Sequence, residues 1–308
     1  MKKLISFIVF FSVLLITSSA VYAKGVSSQN LGMIISPPVF SNITANPGST
    51  VSNVIKVYNT SPNPLSVLMQ VDNYTAVGYK GAVKLESPST STAYSLASWT
   101  TVSPTNLTIL PNSYKYVHFV INVPINAQPG SRFASIVAFA SGSNSSGSSQ
   151  IGTKIGSLIL LTVSGNAKVS AIISSFKTNS TLIQSGNINF LQKIKDTGNV
   201  TLKPTGKIII TNMFGSRVAS IPIQQKDIIP GAIRQTEEEY NVGGLFGYYT
   251  ASLIVNYNSE GKGGNIFATT GFYVIPVGEI IIILIILILI YIFRGNIKRA
   301  YKGFFSKS

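Results

Sequence analysis

Residues 114–123 read Tyr114-Lys-Tyr-Val-His-Phe-Val-Ile-Asn-Val123. In an extended chain alternate side chains point to opposite faces, so Val117, Phe119, Ile121 and Val123 share one side. Tyr114, Tyr116, His118 and Val120 share the other. The first face reads as core and the second as exposed or half covered. β-Branched and aromatic residues in this alternation mark a strand packed on one side. Leu110-Pro-Asn112 before it and Pro124 after it supply turn chemistry at both ends.

The pattern recurs outward in both directions. Runs at 51–58, 65–74, 132–140 and 154–163 are of the same kind. Asn46-Pro-Gly-Ser49, Ser61-Pro-Asn-Pro64 and Gln128-Pro-Gly130 separate them, each combining Pro with Gly or Asn. A second set lies at 167–176, 188–195, 206–212, 217–224, 234–240, 247–257 and 265–275. Seven strands in that length match an immunoglobulin-like sandwich, and no helical periodicity interrupts them. The expected fold is all-β: two immunoglobulin-like β-sandwich domains in tandem, at 24–165 and 166–275, dividing near Gly165. The Gly/Ser tract 141–149 is read as a hairpin tip, with an inter-domain linker as the alternative. The poorly periodic stretch 75–98 is expected to hold a short strand at 82–86 and a helical turn before Trp99. That lone Trp is read as an apolar plug over the sandwich edge.

The two ends differ from the middle. Residues 1–23 have a basic start at Lys2 and Lys3, an apolar stretch and Val21-Tyr-Ala23 at a cleavage position, as in a signal peptide. Residues 276–293 form one apolar run long enough, with Pro276 and Glu279 at its outer end, to be a transmembrane helix. Arg294, Lys298, Arg299, Lys302 and Lys307 follow without an acidic partner, which makes 294–308 a basic cytoplasmic tail. The expectation is a single-pass type I protein of the cell membrane, with 24–275 extracytoplasmic.

Composition narrows function by exclusion. The 308 residues carry 24 Lys+Arg against 9 Asp+Glu, a net +15, yet only 11% are charged, well under the roughly 25% of ordinary soluble domains. With no Cys and one His, disulfide frameworks, Cys-ligated metals and multi-His centres drop out. Seven basic residues belong to the two ends; 24–275 keeps 17 basic and 8 acidic side chains, a diffuse +9 without a nucleic-acid stripe. An anionic surface polymer is the better electrostatic partner. Glu237-Glu-Glu239 sits in an alternating strand, where Glu237 and Glu239 share a solvated face. No phosphate-binding loop, dinucleotide fingerprint or nucleophile elbow occurs, so the reading is non-enzymatic, with no cofactor and no metal. Seven Asn-x-Ser/Thr sequons barely exceed chance, and no glycans are assumed. Tyr249, Leu253, Val255 and Tyr257 share one face of a late strand, and a buried Tyr there is expected to bond nearby backbone. Tyr114, Tyr116 and His118 are the candidate ligand face, since amphipathic rings at a surface suit saccharide or protein.

Ser36-Pro-Pro-Val-Phe40, the Asn46-Pro-Gly turn leading into 51–58, and Val123-Pro followed by Pro129-Gly-Ser-Arg-Phe133 together resemble the first domain of the WxL-interacting surface proteins of Gram-positive and related bacteria. That resemblance implies the same layout and a bacterial cell-surface binding or adhesion role, contacting peptidoglycan or partner surface proteins. The same turn-and-strand signatures occur in periplasmic pilus chaperones. An extracytoplasmic assembly factor is therefore the alternative function, and an anchored glycan hydrolase a third.

Overall fold

The computed structural model describes residues 32–90, 92–141, 152–259 and 261–305. The signal peptide expected at 1–23 and Lys307 lie outside them. The first sandwich contains β1 (Met33–Ser36), β2 (Val39–Ala45), β3 (Thr50–Asn59), β4 (Leu65–Val77), β5 (Ala82–Glu86), β6 (Thr100–Ser103), β7 (Asn106–Ile109), β8 (Ser113–Asn122), β9 (Gly130–Ser141) and β10 (Gly152–Val163). One sheet runs β1-β3-β8-β6; the other runs β2-β10-β9-β4-β5, with β7 also on β4. The first two strands are one chain path divided between the two sheets: β1 pairs antiparallel with β3, and β2 pairs parallel with β10.

The alternation of β8 is realised as read. Val117, Phe119 and Ile121 are fully buried beside Ile55 of the neighbouring β3 and face Met69, Ile136, Ile159 and Leu161 across the sandwich. The Phe119 ring meets Phe40 edge-on at 5.2 Å. The stretch before Trp99 does hold β5 and a single 3₁₀ turn, Ala97–Trp99. Trp99 packs half-buried against this core, with the Arg132 guanidinium 5.6 Å above its ring.

Two buried amides hold the irregular segments. Asn59 Nδ2 donates to the carbonyls of Asn63 (2.8 Å) and Ile109 (3.0 Å). Asn73 Oδ1 accepts from Leu96 N (3.1 Å) and Ala97 N (3.0 Å), while its Nδ2 donates to Thr90 O (2.9 Å). Both belong to sequons, and both are enclosed in the folded chain, which spends their amides on backbone groups.

The second sandwich contains β11 (Ala171–Thr178), β12 (Leu182–Ile183), β13 (Asn187–Asp196), β14 (Thr205–Asn212), β15 (Arg217–Pro222), β16 (Ile233–Asn241), β17 (Gly247–Ser259) and β18 (Lys262–Val274). Its sheets run β11-β13-β16 and β12-β18-β17-β14-β15. Phe190 and Phe272 meet edge-on at 5.9 Å amid Ile188, Ile208 and Leu253. Tyr249 is buried as expected; its hydroxyl donates to Phe246 O and accepts from Phe246 N, each at 3.1 Å.

The helix α1 (Val277–Phe305) follows β18 almost directly. Its stretch Val277–Arg294 is long and apolar enough to cross a membrane, and no residue of it is buried in the protein. The helix continues past Phe293, so Arg294, Lys298, Arg299 and Lys302 extend the same helix.

Asn73→Ala is expected to lower stability by about 1–3 kcal/mol, because two N–H groups lose a buried acceptor. A urea midpoint that did not move in the detergent-solubilised chain would contradict this role.

Candidate functional site

Three surfaces merit description, and the first is the one read from sequence. Tyr114, Tyr116 and His118 all lie on the outer face of the β1-β3-β8-β6 sheet and are exposed. Register brings Tyr58 opposite Tyr114 and Lys56 opposite Tyr116. Ring centroids of Tyr58 and Tyr114, and of Tyr114 and Tyr116, are each 5.3 Å apart. Lys56 Nζ stands 5.2 Å from both the Tyr114 and Tyr116 rings. The hydrogen bond linking Lys56 to Tyr116 raises the ammonium pKa and lowers that of the phenol. His118 pairs with Val54, two positions further along, apart from the tyrosine cluster. Sequence reading missed Lys56 and Tyr58, although the alternation of 51–58 puts both on that face.

The second surface is an open strand edge. β9 covers β10 over its full length, from Gly152↔Ser141 to Val163↔Gly130. The tract 142–151 lies outside the described residues, but the paired strands on either side of it belong to one hairpin. On its other edge β10 is covered by β2 only from Leu158 onward. Leu158 N donates to Pro38 O at 2.9 Å, which shows that even-numbered residues of β10 aim their backbone groups at this edge. Gly152, Lys154 and Gly156 therefore present N–H and C=O groups there with no partner among the described residues. Lys154 Nζ is held at 2.8 Å from the carboxylate of Asp72. Ile155 faces the sandwich interior and is half covered. In the second sandwich β12 covers only Tyr273 and Val274 of β18; β11 runs beside that strand, as β1 runs beside β10, in neither case with a ladder between them.

The third surface is a cleft of about 350 Å³ between the sandwiches. Tyr74, Leu158 and Leu160 form its apolar floor and Ile228 and Ile229 its far wall, with Lys203, Lys226, Arg234 and Asp227 around it. Burial pushes the Tyr74 phenol well above its usual range, and the Asp227 charge adds to this. The β4–β5 turn closes one end: Tyr79 O accepts from Gln235 N at 2.7 Å, and Lys193 Nζ lies 4.1 Å from the Tyr79 ring.

The three consecutive acids of β16 are divided between its two faces. Glu237 and Glu239 share the outer face of β16, as read, and accept from the amides of Asn189 and Asn187 on β13. Glu238 points the other way, accepting from Gln224 N at 2.7 Å. Among the described residues no group of three or more His, Asp or Glu is placed to hold a metal ion.

No family model and no curated relative matches the sequence. Among solved structures the chain is similar to one from the chaperone–tip adhesin complex of CFA/I fimbriae biogenesis, with 14% identity and a TM-score of 0.40, covering 78% of this chain and 98% of that one. It is also similar to the class 5 fimbriae chaperone CfaA (14% identity, TM-score 0.40, 78% and 99% covered). The Escherichia coli chaperone DraB gives 12% identity and a TM-score of 0.36, with 79% and 97% covered. These likenesses are of fold alone.

The joint behind the cleft is built on one turn. Asn199 O accepts from Ser131 N (2.8 Å), Asn199 Nδ2 donates to Pro129 O (3.2 Å), and Thr201 N donates to Ser131 Oγ (2.7 Å). Asp196 shapes that turn by accepting from Gly198 N at 2.8 Å. Its carboxyl is fully buried, its Oδ2 has no hydrogen-bond partner, and burial raises its pKa to about 7 despite the Gly198 bond. The folded chain thus holds this proton more tightly than the unfolded one. The stability it contributes is complete below about pH 4 and is lost as the pH rises to 7, by up to about 1.4 kcal/mol per unit. Asp196→Asn keeps the acceptor for Gly198 and is expected to flatten that decline in urea midpoints; an unchanged slope would refute the assignment.

Proposed function

We propose that this chain is a non-enzymatic, membrane-anchored assembly factor that holds an extended segment of a partner surface protein as an added strand. Residues 24–275 stand outside the membrane, α1 crosses it, and the basic flank from Arg294 onward stays in the cytoplasm. The observation that carries this reading is the open edge of β10. Three residues in alternation offer unpaired backbone groups beside a half-covered core position at Ile155. An extended peptide laid there would gain main-chain hydrogen bonds and would finish burying that side chain. Among the other edge strands of the first sandwich, β1 and β6 have four residues each and β5 five, and shortness blunts an edge, while β2 has seven.

A second reading keeps the same layout but makes the contact through the tyrosine face. Tyr58, Tyr114 and Tyr116 with Lys56 combine ring faces and a cation, a set suited to the wall polymer or surface proteins that the WxL-interacting resemblance implies. Replacing Tyr114 and Tyr116 by Ser is expected to abolish retention on purified peptidoglycan with little change in thermal midpoint. Full retention would leave the strand-capture reading alone.

For strand capture the test is a proline on the open edge. The Lys154 N–H points away from β9, so Lys154→Pro removes an edge donor without breaking the β9 ladder. Lys154→Met removes the same ion pair with Asp72 but keeps the N–H. Photocrosslinking of the full chain to envelope proteins from position 153 is expected to persist in Lys154→Met and vanish in Lys154→Pro. Equal crosslinking in the two variants would overturn the proposal.

A further inference from the structure

The end of the second sandwich from which α1 departs differs in composition from that sandwich's other end. Ile275 N still donates to Ile183 O at 2.9 Å, and Ile280 N donates to Pro276 O at 3.1 Å. The domain's last ladder-like bond and the helix's first bond thus adjoin, and the chain between them spans no more than about 10 Å. Register fixes what else lies at this end: Gly247 pairs with Val274, Asn212 with Tyr249, and Leu182 with Tyr273. The connections 179–186, 213–216 and 242–246 therefore surround the start of α1.

These three connections contain no charged residue. Their tips carry large apolar side chains that the protein does not cover: Phe214 is 84% exposed, Phe246 68% and Met213 58%. A Cβ on Gly247 would lie 3.1 Å from the Met213 methyl, so the 213–216 and 242–246 tips are neighbours. The rings of Tyr273 and Tyr248 meet at a tilt of 55° with centroids 4.9 Å apart. The opposite end carries Lys203, Lys226 and Asp227 in its connections and Lys262 at the start of β18. Uncharged loops tipped with exposed aromatics, at the end where an apolar helix leaves, match the chemistry of the membrane interface, where amphipathic and aromatic rings concentrate.

We infer that this end of the second sandwich rests on the bilayer that α1 crosses, with Phe214 and Phe246 entering the boundary between headgroups and acyl chains. The occupant is lipid rather than a second protein because α1 leaves from this same end after a link of no more than about 10 Å, which turns the end toward the membrane the helix crosses. The inference rests on the membrane-spanning reading of α1, and the second sandwich is thereby held against the membrane instead of swinging from it.

The test uses the full chain in phosphatidylcholine vesicles, with acyl-chain-brominated lipid as quencher. Trp99 in the first sandwich serves as the internal reference. Phe214→Trp and Phe246→Trp are each expected to add blue-shifted emission that brominated lipid quenches, while wild type and the remote Ile125→Trp show no quenching. Leu287→Trp, in the middle of α1, reports the span itself. Quenching at 287 without quenching at 214 and 246 would overturn this inference alone. No quenching at 287 would remove the spanning reading and the inference with it. Blue-shifted but unquenched emission at 214 and 246 would identify a protein surface as the occupant and would also overturn it.

Discussion

Two consecutive prolines govern how the first sandwich is closed. Pro37 and Pro38 have no N–H to donate, so neither can sustain a ladder, and the chain that pairs with β3 through Ser36 cannot continue on that sheet. It crosses to the other sheet and resumes as β2 on β10. Pro38 supplies only its carbonyl, to Leu158 N, and Pro37 supplies its own to Ser157 Oγ at 2.7 Å. Coverage of β10 ends there. The Gly152–Gly156 half of the edge stays open because the covering strand begins at the prolines, and the best-supported function follows from that gap.

The second sandwich is polar at the end that meets the first sandwich and apolar at the other. At the polar end, Asn199 and Thr201 bond to the backbone and hydroxyl of Ser131, and Lys193 and Gln235 grip Tyr79. These contacts tie the sandwiches together on both sides of the cleft. At the other end, uncharged loops surround the helix. An immunoglobulin-like sandwich gathers its connections at its two ends, so two chemically distinct loop sets give one domain two distinct docking surfaces.

Strand-forming stretches were legible because period-2 alternation is a local property. Phe119 and its neighbours, β5, the turn before Trp99 and the Tyr249 hydroxyl bond all follow from residues close in sequence. The N-terminal strands β1 and β2 were not recognised as a pair, since their partners lie far off in β3 and β10. Lys56 and Tyr58 were overlooked beside Tyr114 and Tyr116 because that cluster exists only through cross-strand register, which loop lengths alone do not specify. Asp196 continues the inward parity of Ile188, Phe190 and Ile194, a signal present in the sequence. Its burial, however, depends on the docked turn at Gly198.

By itself the sequence determined an all-β layout, the core faces of its strands, and an apolar segment followed by basic residues. These are properties of composition and short-range periodicity, which act without knowledge of the fold. Only the tertiary structure decided which edge of which strand lacks a partner, which acids are enclosed, and which loops share an end with the helix. Those outcomes depend on pairings between residues as far apart as Pro38 and Leu158, and distance along a chain carries no record of which backbone groups will find each other.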